Sequence, residues 1–196
     1  MATPIDFLQM ASTLATPTTG QHYPLEQWQP SDCGILPLEI DKNGNWWSLD
    51  DGRRTSYQRV KLVKLLSKLL WCEPADYDPS KTLDAPSYSL RTPHESVSIQ
   101  VVDTPFLIID YHWHNSAMIC TTQLGDNITI GLEHPVVLNA QSPNLPYALV
   151  RRNLWARFNR NTYYRSIDEL LKDSIQETEN LGFTSQNHYF TLTPLV

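Results

Sequence analysis

"SVSIQVVDTPFLIIDYHWH", residues 96–114, is the stretch whose reading decides the fold. Its first half alternates: Val97, Ile99 and Val101 share one face, the period of two expected of a half-buried strand. Asp103-Thr104-Pro105 then interrupts the pattern with turn chemistry. The second half, "PFLIIDYHWH", is apolar more continuously and reads as a more deeply buried strand. Two strands follow one another here with no helical period between them, which speaks against the alternating βα order of a doubly wound fold.

Working outward, "ILPLEIDKNGNWWSL" (35–49) reads as a hairpin turning at Asn43-Gly44, because a type I′ turn needs positive φ at both central positions. "SYQRVKLVKLLSKLLW" (56–71) predicts a helix with Val60, Val63, Leu66 and Leu70 as its apolar stripe, broadened by Leu62, Leu65 and Leu69, and with Thr55 or Ser56 as its N-cap. Pro74 and an Asp/Pro-rich loop end it. On the other side, "AMICTTQL", "NITIGL", "HPVVLNA" and "YALVRRNLWARF" continue the strand character, with a turn at Gly125-Asp126-Asn127. "NTYYRSIDELLKDSIQE" predicts a late helix with Ser166 as cap and Glu169 at the capping-box position, and "HYFTLTPL" a closing strand. Residues 1–20 read as an N-terminal tail carrying a short helix around Ile5–Leu14. The order is α+β, with helices segregated from antiparallel sheets and a break near residues 75–95.

Composition narrows the function classes. Of 196 residues, 41% are apolar, enough to fill a core, and the fourteen prolines against seven glycines favour many short elements. A net charge of −6 argues against nucleic acid and against an anionic membrane surface as partners, since phosphate neutralisation dominates that kind of affinity. Cys33, Cys72 and Cys120 are scattered with no CxxC pair, which suits a reducing compartment. The N-terminus lacks the basic and apolar regions of a signal peptide, and no apolar run approaches a spanning length, so a cytoplasmic, soluble protein is expected.

Four segments in this order carry a resemblance: "CGILPLEIDKNGNWW", "RVKLVKLLSKLL", "YSLRTPHESVSIQVVDTPFLIIDY" and "LGDNITIGLEHPVVL". Over roughly residues 21–172 they resemble DUF1285, a bacterial family of unknown function, and the run from Thr92 to Phe106 is the most specific part. The resemblance implies two small α+β and β roll-like domains with repeated structural motifs, the second a roll or half-barrel. The division expected is a tail at 1–20, an α+β roll-like domain at 21–95 and a mainly β roll-like domain with a late helix at 96–196. It also implies a role in signal transduction, suggested from fold comparison, and supplies no catalytic residue. Pro93 and Glu95 keep the pattern, whereas His94 stands at a position expected to vary.

His112 and His114, two apart on a strand, share a face and could offer two imidazoles to a metal, with Glu133 or His134 as a third ligand. The cupin spacing that uses such a pair is not met, because Phe106 and Met118-Ile119 stand where a glycine and a glutamate are wanted. Asp103, Asp110, Asp126 and Glu133 fall near strand ends, where turns and caps account for them. There is no G-x-S-x-G elbow, Walker loop or G-x-G-x-x-G run. Cys33 stands in a loop-like "PSDCG", whereas Cys120 reads as a strand-interior hydrophobe. Two basic sets remain: Arg53, Arg54, Arg59, Lys61, Lys64 and Lys68 around the first helix, and Arg151, Arg152, Arg157, Arg160 and Arg165 interleaved with Trp155, Phe158, Tyr163 and Tyr164. The expectation is a non-enzymatic binding module without a cofactor, with a protein or small-molecule partner. Lys61, Lys64, Lys68, Arg151, Arg152, Trp155 and Arg157 are its candidate contacts. The alternative is a metal protein using His112, His114, Glu133 and His134.

Overall fold

A computed structural model describes residues 4–14, 22–81, 84–140, 145–173 and 180–194. In chain order the elements are α1 (Pro4–Thr13), β1 (Ser31–Ile40), β2 (Trp46–Ser48), β3 (Thr55–Ser56), α2 (Val60–Lys68), β4 (Leu70–Glu73), β5 (Ser87–Arg91) and β6 (Glu95–Val101). There follow β7 (Phe106–His114), β8 (Ala117–Thr122), β9 (Asn127–Thr129), β10 (Val136–Leu138), β11 (Pro146–Arg151), β12 (Leu154–Phe158), α3 (Arg160–Asp173), β13 (Asn180–Ser185) and β14 (His188–Pro194). Among the described residues no helix is long and apolar enough to cross a membrane.

The chain divides into two units, 1–74 with 86–103, and 75–85 with 104–196. The passage between them falls inside the opening stretch, at Asp103-Thr104, later than the 95/96 division expected from sequence, because β6 pairs with both β1 and β5 in the first sheet.

The two sheets share one wiring. The first has the order β3-β2-β1-β6-β5-β4 and the second, read from its far edge, β9-β8-β7-β12-β11-β10. Each is two antiparallel three-strand meanders, joined where the first and the last strand of the set lie side by side. Those central pairs, β1 with β6 and β7 with β12, run parallel. The sheets are therefore mixed rather than wholly antiparallel as the sequence suggested. Period-two alternation fixes which face a strand buries, not the direction of its neighbour. The repeat has no counterpart in the sequence, and its halves are linked differently. In the first unit α2 carries the chain from β3 to β4; in the second, residues 130–135 alone carry it from β9 to β10. The second sheet curls into a half-barrel, so the fold is α+β with two domains.

Local chemistry explains most boundaries. The β1–β2 hairpin turns where Asn43-Gly44 stands, but not as the two-residue type I′ turn expected: of the pair only Gly44 has positive φ, at 73, and a five-residue loop is closed by the Gly44 N–H donating to the Asp41 carbonyl. Asp41 closes the turn, its carboxylate accepting from the N–H groups of Asn43 and Asn45 and from the Trp47 indole, at 2.8–2.9 Å. Burial pushes the Asp41 carboxyl up, but these donors outweigh it and hold the group below the usual carboxylate range. α2 is shorter than the 56–71 predicted. Thr55 and Ser56, expected as caps, pair instead with Ser48 and Trp47 in the sheet, and Arg59 precedes the helix with no side-chain cap. Leu70 and Trp71 leave it to pair with β5. Its inward stripe is Val63 and Leu66, both buried, while Val60 opens the helix in solvent. α1 lies in the segment expected to be a tail, yet Phe7 and Ala11 are fully buried and α1 packs on α2. α3 starts six residues before Ser166; its cap is Asn159, whose side-chain oxygen accepts from the Thr162 N–H at 2.7 Å. Ser166 is interior and donates back to the Tyr163 carbonyl.

Candidate functional site

A polar cleft of the second unit is assembled from two distant stretches of chain. One is β9 and the connection behind it, residues 127–134; the other is the tip of the β13–β14 hairpin, residues 186–188. Gln186 and Asn187 turn the hairpin at φ 48 and 64, the left-handed pair of a tight two-residue turn. Ser185, fully buried, docks the tip. Its hydroxyl donates to the Ile130 carbonyl at 2.7 Å and accepts from the Met118 N–H at 2.9 Å. The Gln186 N–H adds a bond to the Ser116 carbonyl at 3.2 Å. Gly131 lies beside the tip, where a Cβ would meet the Gln186 amide and require that side chain to move. Behind the tip the hairpin buries Leu181, Phe183, Phe190 and Leu192, and Phe183 meets Trp113 edge to face.

Ser185→Ala is expected to cost about 1–3 kcal/mol, since it strands a buried N–H and a buried C=O together. Urea melts check the cost, and faster amide exchange at Met118 checks its location.

The resulting cleft has a volume of about 580 Å³, within the roughly 300–1,000 Å³ typical of small-molecule sites. Its polar walls are Asn127, Thr129, Glu133, His134, Gln186 and His188, with Ile128 and Leu132 as apolar surface. Both histidines are oriented by backbone: His134 Nδ1 lies 3.0 Å from the Leu149 carbonyl and His188 Nδ1 2.8 Å from the Gln186 carbonyl.

The residues of the alternative metal reading are not brought together as one set. Among the described residues no group of three His, Cys, Asp or Glu side chains is placed to hold a metal ion. His112 and His114 stand exposed at the end of β7, where His114 contacts the Asn115 amide. Glu133 and His134 share the cleft with His188 instead. Strand periodicity groups His112 with His114 but carries no information about the hairpin tip that brings His188 in.

The basic candidates separate by burial. Trp155 is 4% exposed and donates its indole N–H to the Tyr77 carbonyl, so it is a packing residue and not an exposed contact. Arg151 is largely buried over the Phe106 ring at 4.8 Å and lies 3.8 Å from Asp126; burial lowers its guanidinium to about 10. Arg152 sits at positive φ in the β11–β12 turn and Arg157 is half-buried in β12. Lys61 and Lys64 are exposed on α2, and Lys68 is half-buried. Arg165 pairs with Asp110 and lies over the Tyr111 ring at 4.4 Å. The Tyr111 hydroxyl in turn donates to Glu169, and burial together with that bond pushes the phenol up to about 12. This cluster fixes α3 to β7. Burial likewise pushes the thiols of Cys72 and Cys120 up to about 12, far from a reactive thiolate.

Two family models cover nearly all of the chain: the N-terminal domain of unknown function DUF1285 over residues 23–104, and the C-terminal domain of the same family over residues 105–192. The chain belongs to the DUF1285 family. The boundary between the two models, at 104/105, lies one residue from the passage between the two units. The crystal structure of a DUF1285 protein from Silicibacter pomeroyi DSS-3 is similar at a TM-score of 0.73 and 26% identity, over 96% of this chain and 94% of that one. A second DUF1285 structure, from Shewanella baltica OS155, is similar at a TM-score of 0.52 and 26% identity, over 69% of this chain and 93% of that one. No curated protein matches. The DUF1285 membership thus agrees with the two-domain architecture and assigns no chemistry to the cleft.

Proposed function

We propose that this DUF1285 chain is a non-enzymatic binding module and that the cleft between β9 and the β13–β14 tip is where it takes a small polar ligand. The observation that carries this is the division of labour among side chains. The cleft is lined by hydrogen-bonding groups, whereas the strongly shifted groups, Cys72, Cys120, Tyr111 and Arg151, lie outside its lining. Strong shifts mark working acids, bases and nucleophiles; here they accompany buried packing. A docked hairpin tip also suits recognition, because it holds polar groups in fixed positions before the ligand arrives. Cytoplasmic signal transduction is a setting compatible with such a module.

The test is to find small metabolites that raise the melting temperature of the intact chain, and to follow each by mass spectrometry during prolonged incubation. Stabilisation with the compound recovered unchanged is expected. Conversion of a stabilising compound at a rate that scales with protein concentration would contradict the reading.

A further inference from the structure

We infer that the cleft selects a small organic cation, an ammonium or guanidinium group on a short aliphatic chain; this rests on the reading of the cleft as the ligand site. A backbone carbonyl only accepts, so the Nδ1 atoms of His134 and His188 must be the donors in their bonds to Leu149 and Gln186. A neutral imidazole whose Nδ1 proton is so engaged keeps a lone pair on Nε2 that can accept from a ligand. Both histidines line one cleft with Glu133.

Charge points the same way. Glu133 is exposed and is the one formally charged residue of the lining, which contains no Lys or Arg among the described residues. Arg151, the nearby cation, is turned to Asp126 and the Phe106 ring. An anion entering here would meet a carboxylate and two lone pairs, whereas an ammonium or guanidinium would meet three acceptors. The Thr129 hydroxyl and the Gln186 carbonyl oxygen can accept as well. Asn127 is the exception, because its oxygen already accepts from Thr121 at 2.8 Å and leaves the amide N–H₂ to the cleft. The apolar side is supplied by Ile128 and the exposed Leu132, against which a methylene chain can lie.

The experiment is NMR titration of the labelled full chain with four probes: putrescine, agmatine, butanediol and succinate. Putrescine, butanediol and succinate share chain length and differ in charge. The cations are expected to shift the amides of residues 127–134 and 186–188 and the Nε2 resonances of His134 and His188, and to bind more tightly than butanediol or succinate. Glu133→Gln, at an exposed position where folding is not at stake, is expected to weaken putrescine about fivefold or more, the effect of one charge at about 4 Å in water. Succinate or butanediol binding the cleft as tightly as putrescine would overturn the cation inference while leaving the cleft as a ligand site. So would an unchanged putrescine affinity in Glu133→Gln. No cleft shift with either cation also overturns it, and the binding reading itself falls only if a broad metabolite set leaves the cleft untouched.

Discussion

Phe158→Ala is expected to destabilise the second unit by about 3–5 kcal/mol, the range for deleting a buried aromatic side chain. Phe158 is fully buried at the end of β12 and stands opposite Ile108 in the parallel pair that joins the two meanders. Removing the ring empties the seam on which the shared wiring depends, and the neighbouring Phe106 and Ile108 are themselves fully buried and packed in place. Tyr164→Ala, on the exposed face of α3, is expected to change stability by no more than about 0.5 kcal/mol. Urea melts of the two variants check both values. Equal small losses would mean that the β7–β12 seam is not the core of this unit.

The corresponding contrast in the first unit is Leu66→Ala against Lys64→Ala. Leu66 has no exposed surface and sits on the inward stripe of α2, so its loss is expected to cost about 2–5 kcal/mol, by transfer free energy and by the cavity left behind. Lys64 stands on the opposite, exposed face, and its loss is expected to stay within about 0.5 kcal/mol. Lys61 and Lys64 with Lys68 place like charges three and four residues apart, which costs a helix a few tenths of a kcal/mol per pair. Removing one charge therefore offsets part of what the lost side chain contributed. The check is again the urea midpoint of each variant.

Sequence reading reached the parts of this fold that local chemistry controls. The alternation of Val97, Ile99 and Val101 appears as β6, the Asn43-Gly44 turn as the β1–β2 hairpin, and Val63 and Leu66 as the buried stripe. The ends of α2 were not legible, because Thr55 and Ser56 suit an N-cap and Leu70 continues the stripe, yet all three pair as strand residues with β2 and β5. The start of α3 was misread for a related reason. Ser166 and Glu169 fit a capping box on paper, whereas Asn159 caps first and Glu169 is taken by Tyr111. Parallel central strands were not legible at all, since a strand's pattern is the same in either direction.

The cleft shows the limit most clearly. Glu133 and His134 were noticed, but as companions of His112 and His114 through strand geometry. Their actual companion, His188, is more than fifty residues away and arrives through Ser185, a serine inside a strand that carries no distinctive spacing. In the β9–β10 connection the Gly131 N–H bonds to the His134 carbonyl, so this glycine reads as loop chemistry and carries no sign of the hairpin tip beside it. Burial likewise takes Trp155, and most of Arg151, out of the exposed set in which composition places them.

The proposed ligand site requires a cleft that is preformed and held together by the hairpin tip. Amide chemical-shift mapping of the intact chain against a broad set of small polar metabolites tests this most directly. Saturable shifts concentrated at residues 127–134 and 186–188, and lost in a folded Ser185→Ala variant, are the expected result. Saturable shifts that map to other surfaces and persist in Ser185→Ala, with residues 127–134 and 186–188 unmoved, would contradict it.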